Sequence, residues 1–164
     1  MAQKRDKGNL AGDETERMLN IGLKDYFETR KQHSATVIRG LKLSNLNNDK
    51  SKDHERDVII MCQKTNLIVN IEAKSKLTNS SGERAKDQFK ISQEILQENF
   101  RPVFSEETNW KFASLVYSND YEEYDCQECK PYVLNKDNLE RNLDGLFEQA
   151  KGTICLIICL KSTI

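Results

Sequence analysis

Apolar residues return at three- and four-residue steps over 12–30, with Leu19, Leu23 and the pair Tyr26/Phe27 on one side, and this spacing predicts a first helix. Residues 34–43 hold Val37, Ile38, Leu41 and Leu43 and read as a strand, with Gly40 as a weak point or bulge. The polar stretch 44–54 (SNLNNDKSKDH) is a turn-forming loop. Two runs follow, 56–62 (RDVIIMC) and 67–73 (LIVNIEA), separated by 63–66. Both are rich in β-branched residues and apolar on both faces for most of their length, which predicts a hairpin in the middle of a sheet.

Beyond the hairpin, 75–83 (SKLTNSSGE) has loop composition. A helix is expected over 84–100, with Phe89, Leu96 and Phe100 on one side and Pro102 as its stop. Residues 110–117 (WKFASLVY) read as a further strand, 118–130 as an acidic polar connection, and 132–134 as a short apolar segment. The spacing of Leu139, Leu143 and Leu146/Phe147 predicts a helix over 135–149, with Asn135 or Asp137 as its N-cap. The run 153–160 (TICLIICL) is too short to span a bilayer and is expected as a buried strand. The resulting order, α-β-β-β-α-β-(β)-α-β, gives an α/β (α+β) domain, a mixed sheet flanked by helices. Residues 1–11 are expected to be a flexible N-terminus and 12–164 a single domain.

Composition narrows the functional classes. Of 164 residues 37% are hydrophobic and 31% charged, enough for one core in a polar chain. With 25 basic against 26 acidic residues the net charge is −1, which excludes a protein coated in positive charge but not a local basic groove. No apolar run reaches the roughly 20 residues of a membrane span, and 1–10 has no apolar signal core. The expected setting is intracellular, cytoplasmic or nuclear, with no membrane partner. Five cysteines, an odd number, fit free thiols in a reducing compartment. Cys126 and Cys129 have the spacing of half a zinc site but lack an obvious second pair of ligands.

The chemistry concentrates on the hairpin, which carries Asp57, Glu72 and Lys74 in an otherwise apolar setting. If the connection 63–66 closes symmetrically, Cys62 faces Leu67, and counting back along both strands brings Asp57 opposite Glu72. Direct cross-strand partners share a face, and Lys74, two residues beyond Glu72, shares it too. Two carboxylates that close repel each other, so neutralising Glu72 is expected to relieve strain unless a cation is bound. A hard divalent ion, Mg²⁺ or Mn²⁺, is one solution. An ion-pair trio at a strand end is the other.

Asp57 followed by Ile71-Glu72-Ala73-Lys74 resembles the D…(D/E)-x-K signature of the restriction-endonuclease-like, or PD-(D/E)xK, nuclease superfamily. More narrowly, residues 12–100 resemble the nuclease-related domain (NERD) family, whose pattern runs from a glutamate-bearing helix through a strand, a hairpin with Asp and E-x-K, to a helix containing Gln. The resemblance implies a restriction-endonuclease-like fold. It implies Glu16, Asp57 and Glu72 as metal ligands with the Ala73 carbonyl, Lys74 as the water-positioning and charge-stabilising group, and Gln88 as support.

The chain departs from the family at several points. It has 12–16 (GDETE) where the family has a Gly-Glu pair, and helix phasing relative to Leu19 and Leu23 favours Glu16 over Glu14. Arg56 stands where the superfamily's name has Pro, and Glu55 is either a substitute ligand or a solvated charge. Gln93 competes with Gln88, which lies earlier in its helix. Lys76, Arg84, Lys86 and Lys90 either contact phosphates or form a solvated helix face.

Two functions follow as expectations. One is a metal-dependent nuclease, an endonuclease or other phosphodiesterase with DNA or RNA as its nucleic-acid partner. The other is a catalytically inactive nuclease-like module that binds nucleic acid or protein. No helix-turn-helix or zinc-finger pattern offers base-specific recognition.

Overall fold

The computed structural model describes residues 7–30, 35–43, 54–100, 110–121 and 133–151. Eight elements follow in order: α1 (Lys7–Thr29), β1 (Thr36–Leu43), β2 (His54–Cys62), β3 (Leu67–Ala73), α2 (Asn79–Phe100), β4 (Lys111–Tyr117), β5 (Val133–Leu134) and α3 (Leu139–Lys151). The strands form one mixed sheet in the order β1-β2-β3-β4-β5. The first three are antiparallel neighbours, and β4 and β5 join in parallel. An α/β architecture is therefore the fold. The α2 crossover explains the switch, since parallel neighbours need a long connection.

Side-chain alternation divides the sheet into two buried faces. Val58, Ile60 and Cys62 of β2 and Leu67, Val69 and Ile71 of β3 pack with Leu19, Leu23 and Tyr26 of α1 and Leu143 and Phe147 of α3. On the opposite face Ile59 and Ile68 meet Ile95 and Leu96 of α2, and Ala85 and Phe89 of α2 meet Val116 and Val133. Both faces of the central hairpin are covered by helices, so its apolar runs are unbroken. A single 3₁₀ turn, Gln63–Thr65, joins β2 to β3, with Asn66 left-handed at φ 50°. It closes the hairpin with Cys62 opposite Leu67, the symmetric register.

Three boundaries depart from the sequence expectation. Helix α1 begins at Lys7, so residues 7–11, expected to be flexible, are helical. Helix α2 begins at Asn79 rather than 84, because Thr78 caps it: Thr78 Oγ1 accepts the Ser81 N–H at 3.3 Å, and Gly82 N–H donates to the Thr78 carbonyl at 2.8 Å. The regular part of α3 begins at Leu139. Asn135 still caps the turn that leads into it, its Oδ1 accepting N–H groups from Asp137 and Asn138 at 2.9 and 3.0 Å. The expected strand over 153–160 and the Cys126/Cys129 pair lie outside the described residues. Among the described residues no helix is long and apolar enough to cross a membrane.

Candidate functional site

The hairpin carries its charges to the end remote from the 3₁₀ turn. The regular β2–β3 ladder stops at Val58 opposite Ile71, so Asp57 and Glu72 stand one step beyond it. There Asp57 Oδ2 accepts the Ala73 N–H at 2.6 Å, a side chain bonding where the backbone ladder has ended. The neighbouring β1–β2 ladder is irregular at the same level: it pairs Arg39 with Val58 and Leu41 with Arg56, and passes over Gly40 and Asp57. Gly40 has φ +58°, and a Cβ there would lie 3.3 Å from Glu55 Oε1, so the position favours glycine; the register is the same on both sides of it, which makes it a weak point in the strand and not a bulge. Past β3 the chain stays anchored to β4, because Lys74 N–H donates to the Tyr117 carbonyl at 2.9 Å.

Glu72 is the hub. It is buried at 5% exposure, and its two oxygens take different cations. Lys74 Nζ lies 2.7 Å from Oε1, and Arg56 Nη1 lies 3.3 Å from Oε2. The Arg56 side chain is fully buried, and its Nε and Nη2 have no hydrogen-bond partner. Burial pushes its pKa down, opposed by the charges of Glu72 and Asp57. This residue was missed in the sequence as a site group. The signal was an Arg inside an apolar hairpin, a placement that demands a buried anion.

Asp57 is driven the other way. Burial first, and the charge of Glu72 second, push its carboxyl up to about 6, against the Ala73 N–H bond, which lowers it. Glu16 of α1 belongs to the same electrostatic neighbourhood. Its carboxyl is held above the ordinary range by burial and by the charges of Asp13, Glu55 and Glu72. Glu14 is committed elsewhere, in an exposed ion pair with Arg17 at 2.7 Å. Glu16 rather than Glu14 is thus the helix carboxylate that feels the charges of Glu55 and Glu72. A third ligand is nevertheless not assembled: among the described residues no group of three or more Asp, Glu, His or Cys side chains could hold a metal ion.

Gln88 occupies the sheet-facing stripe of α2 that also carries Ala85, Phe89 and Ser92, and its Oε1 is buried without a partner. Gln93 is half-buried, one residue past Ser92, whose hydroxyl donates to the Gln88 carbonyl at 2.7 Å. Asn70, on β3 two residues before Glu72, is buried with both amide atoms unpartnered. Of the four expected phosphate contacts, Lys76, Arg84 and Lys90 are exposed, whereas Lys86 is drawn to Glu83 at 2.6 Å. Arg84 and Lys90 point roughly 120° apart around α2 at 3.6 residues per turn, so the set does not form one stripe. A shallow groove of about 520 Å³ runs between α1 and β1, lined by Glu16 together with Arg17, Lys24 and Arg39.

A hard divalent ion fits part of this donor set. Mg²⁺ uses one or two carboxylates and keeps several waters, and Asp57 and Glu72 supply two hard oxygen donors, followed on β3 by the Ala73 carbonyl. A closed cage with Glu16 is not what the described side chains form. Comparison with known proteins finds no family model, no curated protein and no solved structure that matches the chain.

Proposed function

We propose that the chain is a metal-dependent nuclease that hydrolyses phosphodiester bonds in DNA or RNA, with Asp57, Glu72 and Lys74 at its centre. The observation that carries this reading is the convergence of Asp57, Glu72 and Lys74 at the open end of a buried hairpin in a mixed α/β sheet. That arrangement accords with the D…E-x-K resemblance, for which the NERD family is the narrower proposal. Asp57 and Glu72 would hold Mg²⁺ or Mn²⁺, with the Ala73 carbonyl as a further donor; Glu16, which the described side chains do not bring into a ligand group, would join only by moving in from α1. The ion when bound supplies positive charge at the phosphate and acidifies a water.

The remaining work falls to the protein's own groups. Lys74 is only partly buried, with 24% of its side chain exposed, so its ammonium can leave Glu72 for the developing charge on a phosphate oxygen. Gln88, whose buried Oε1 has no protein partner, is suited to orient a water beside the sheet. Lys76, Arg84 and Lys90, exposed but not on one stripe, would steer the phosphate backbone without reading sequence, and Lys86 would join them only by leaving Glu83.

A second reading is favoured by one specific observation. Both oxygens of Glu72 are already taken by cations, as expected of a catalytically inactive nuclease-like module that binds nucleic acid or protein. The deciding experiment is incubation of the purified protein with a mixture of DNA and RNA in Mg²⁺, Mn²⁺ or chelator. Cleavage that chelator abolishes supports the nuclease. Retention of nucleic acid without cleavage in any metal supports the inactive module.

A further inference from the structure

A fully buried guanidinium that meets its carboxylate at 3.3 Å and leaves two of its nitrogens, Nε and Nη2, unpartnered is a costly arrangement. Replacing such a buried pair as a whole by well-packed apolar residues is often neutral or stabilising, so the pair asks for a role beyond packing. The two cations on Glu72 differ in a way that suggests one. Lys74 reaches Oε1 from the solvent side on a flexible stem, whereas Arg56 reaches Oε2 with a side chain of 0% exposure, adjacent in sequence to Asp57. One partner can be exchanged and the other cannot.

We infer that Arg56 is a positioning residue: it pins Glu72 by Oε2 and thereby presents Oε1, now held by Lys74, as the oxygen a divalent cation takes. The inference rests on the metal-dependent reading above. Lys74 is the counter-ion of Oε1, and with a cation held by Glu72 its ammonium would be released for substrate. Arg56 stays in place through the exchange and keeps the carboxylate from rotating. Its position just before Asp57 means the same backbone segment sets both carboxylates.

Electrostatics and positioning predict opposite signs for one substitution. Arg56→Met removes a positive charge beside the site, so charge alone would tighten cation binding. Loss of a residue that orients a ligand weakens metal affinity, typically by about 10–100-fold. The test is calorimetric titration of Mn²⁺ into wild type, Arg56→Met and Arg56→Lys, each first checked for a cooperative melt. The expected result is binding by wild type, at least about tenfold weaker binding by Arg56→Met, and partial recovery in Arg56→Lys, whose ammonium can still reach Oε2.

Binding by wild type with equal or tighter binding by Arg56→Met would overturn the positioning role and leave the metal site standing. If Arg56→Met does not fold, Arg56→Leu carries the comparison, and wild-type affinity in that variant overturns the role. Absence of Mn²⁺ binding by wild type would remove the metal-dependent reading itself, and this inference with it.

Discussion

Asp57 accepts the backbone N–H of Ala73 at 2.6 Å, so a β2 carboxylate closes the end of the hairpin at the residue that follows Glu72. The same carboxyl is raised from 3.8 to about 6 by burial and by Glu72. The folded, metal-free protein therefore holds this proton more tightly than the unfolded chain does. Stability from the neutral form is fully present below the unfolded value and is lost as pH rises through about 6. In chelator, wild type should melt higher near about pH 5 than near about pH 7 by more than Asp57→Asn does, because the amide does not titrate. Superimposable pH–melting profiles would mean that Asp57 is not raised.

The sequence alone makes Glu72 a source of repulsion and predicts that Glu72→Gln leaves the fold untouched or improves it. The Arg56 contact reverses that expectation. Neutralising Glu72 leaves a fully buried guanidinium without its carboxylate, a change that costs about 3–5 kcal/mol in comparable buried pairs. Lys74→Ala removes a partly exposed partner and should cost about 1 kcal/mol. Urea unfolding in chelator measures both, and a Glu72→Gln protein as stable as wild type would contradict the account of Arg56.

Away from the site, α1 and α3 are clamped by a polar cluster. Tyr26 Oη donates to Asp144 Oδ1 at 3.0 Å, and Arg30 Nη2 meets Asp144 Oδ2 at 3.2 Å. Tyr26→Phe should lose about 1 kcal/mol at neutral pH. Burial first, and Asp144 second, raise the Tyr26 phenol above its ordinary 10.0. Its stabilising contribution is therefore present below that pH and lost as pH climbs past it. Tyr26→Phe should show a shallower alkaline loss of stability than wild type, read by circular-dichroism melts across the alkaline range.

Much of the fold was legible because its signals were local. The apolar runs of β2 and β3 and the spacing of Leu139, Leu143 and Phe147 declare their elements without help from the rest of the chain. The weak point at Gly40 was legible too, since a glycine between Arg39 and Leu41 interrupts the strand pattern, though the register does not shift there as a bulge would require. The start of α2 was not: 75–83 reads as loop by composition, and only the Thr78–Ser81 cap turns part of it into helix. At the site, the symmetric register expected for 63–66 is the one observed, and it leaves Asp57 and Glu72 one step past the end of the ladder. The sequence pattern did not point to Arg56, which strict alternation sends to the other face, although its long side chain brings Nη1 to 3.3 Å from Glu72 Oε2.

The central claim is that Lys74 and its two carboxylates act on a phosphodiester in the presence of a divalent ion. Its most direct test is the Mg²⁺-dependent cleavage rate of Lys74→Ala beside wild type on the same DNA and RNA mixture, with the Mg²⁺-induced rise in melting temperature measured on both. The account predicts cleavage by wild type that chelator abolishes, a rate at least ~10²-fold lower for Lys74→Ala, and a melting shift retained in the variant. Cleavage by Lys74→Ala at the wild-type rate, or no cleavage by wild type in Mg²⁺ or Mn²⁺, would contradict it.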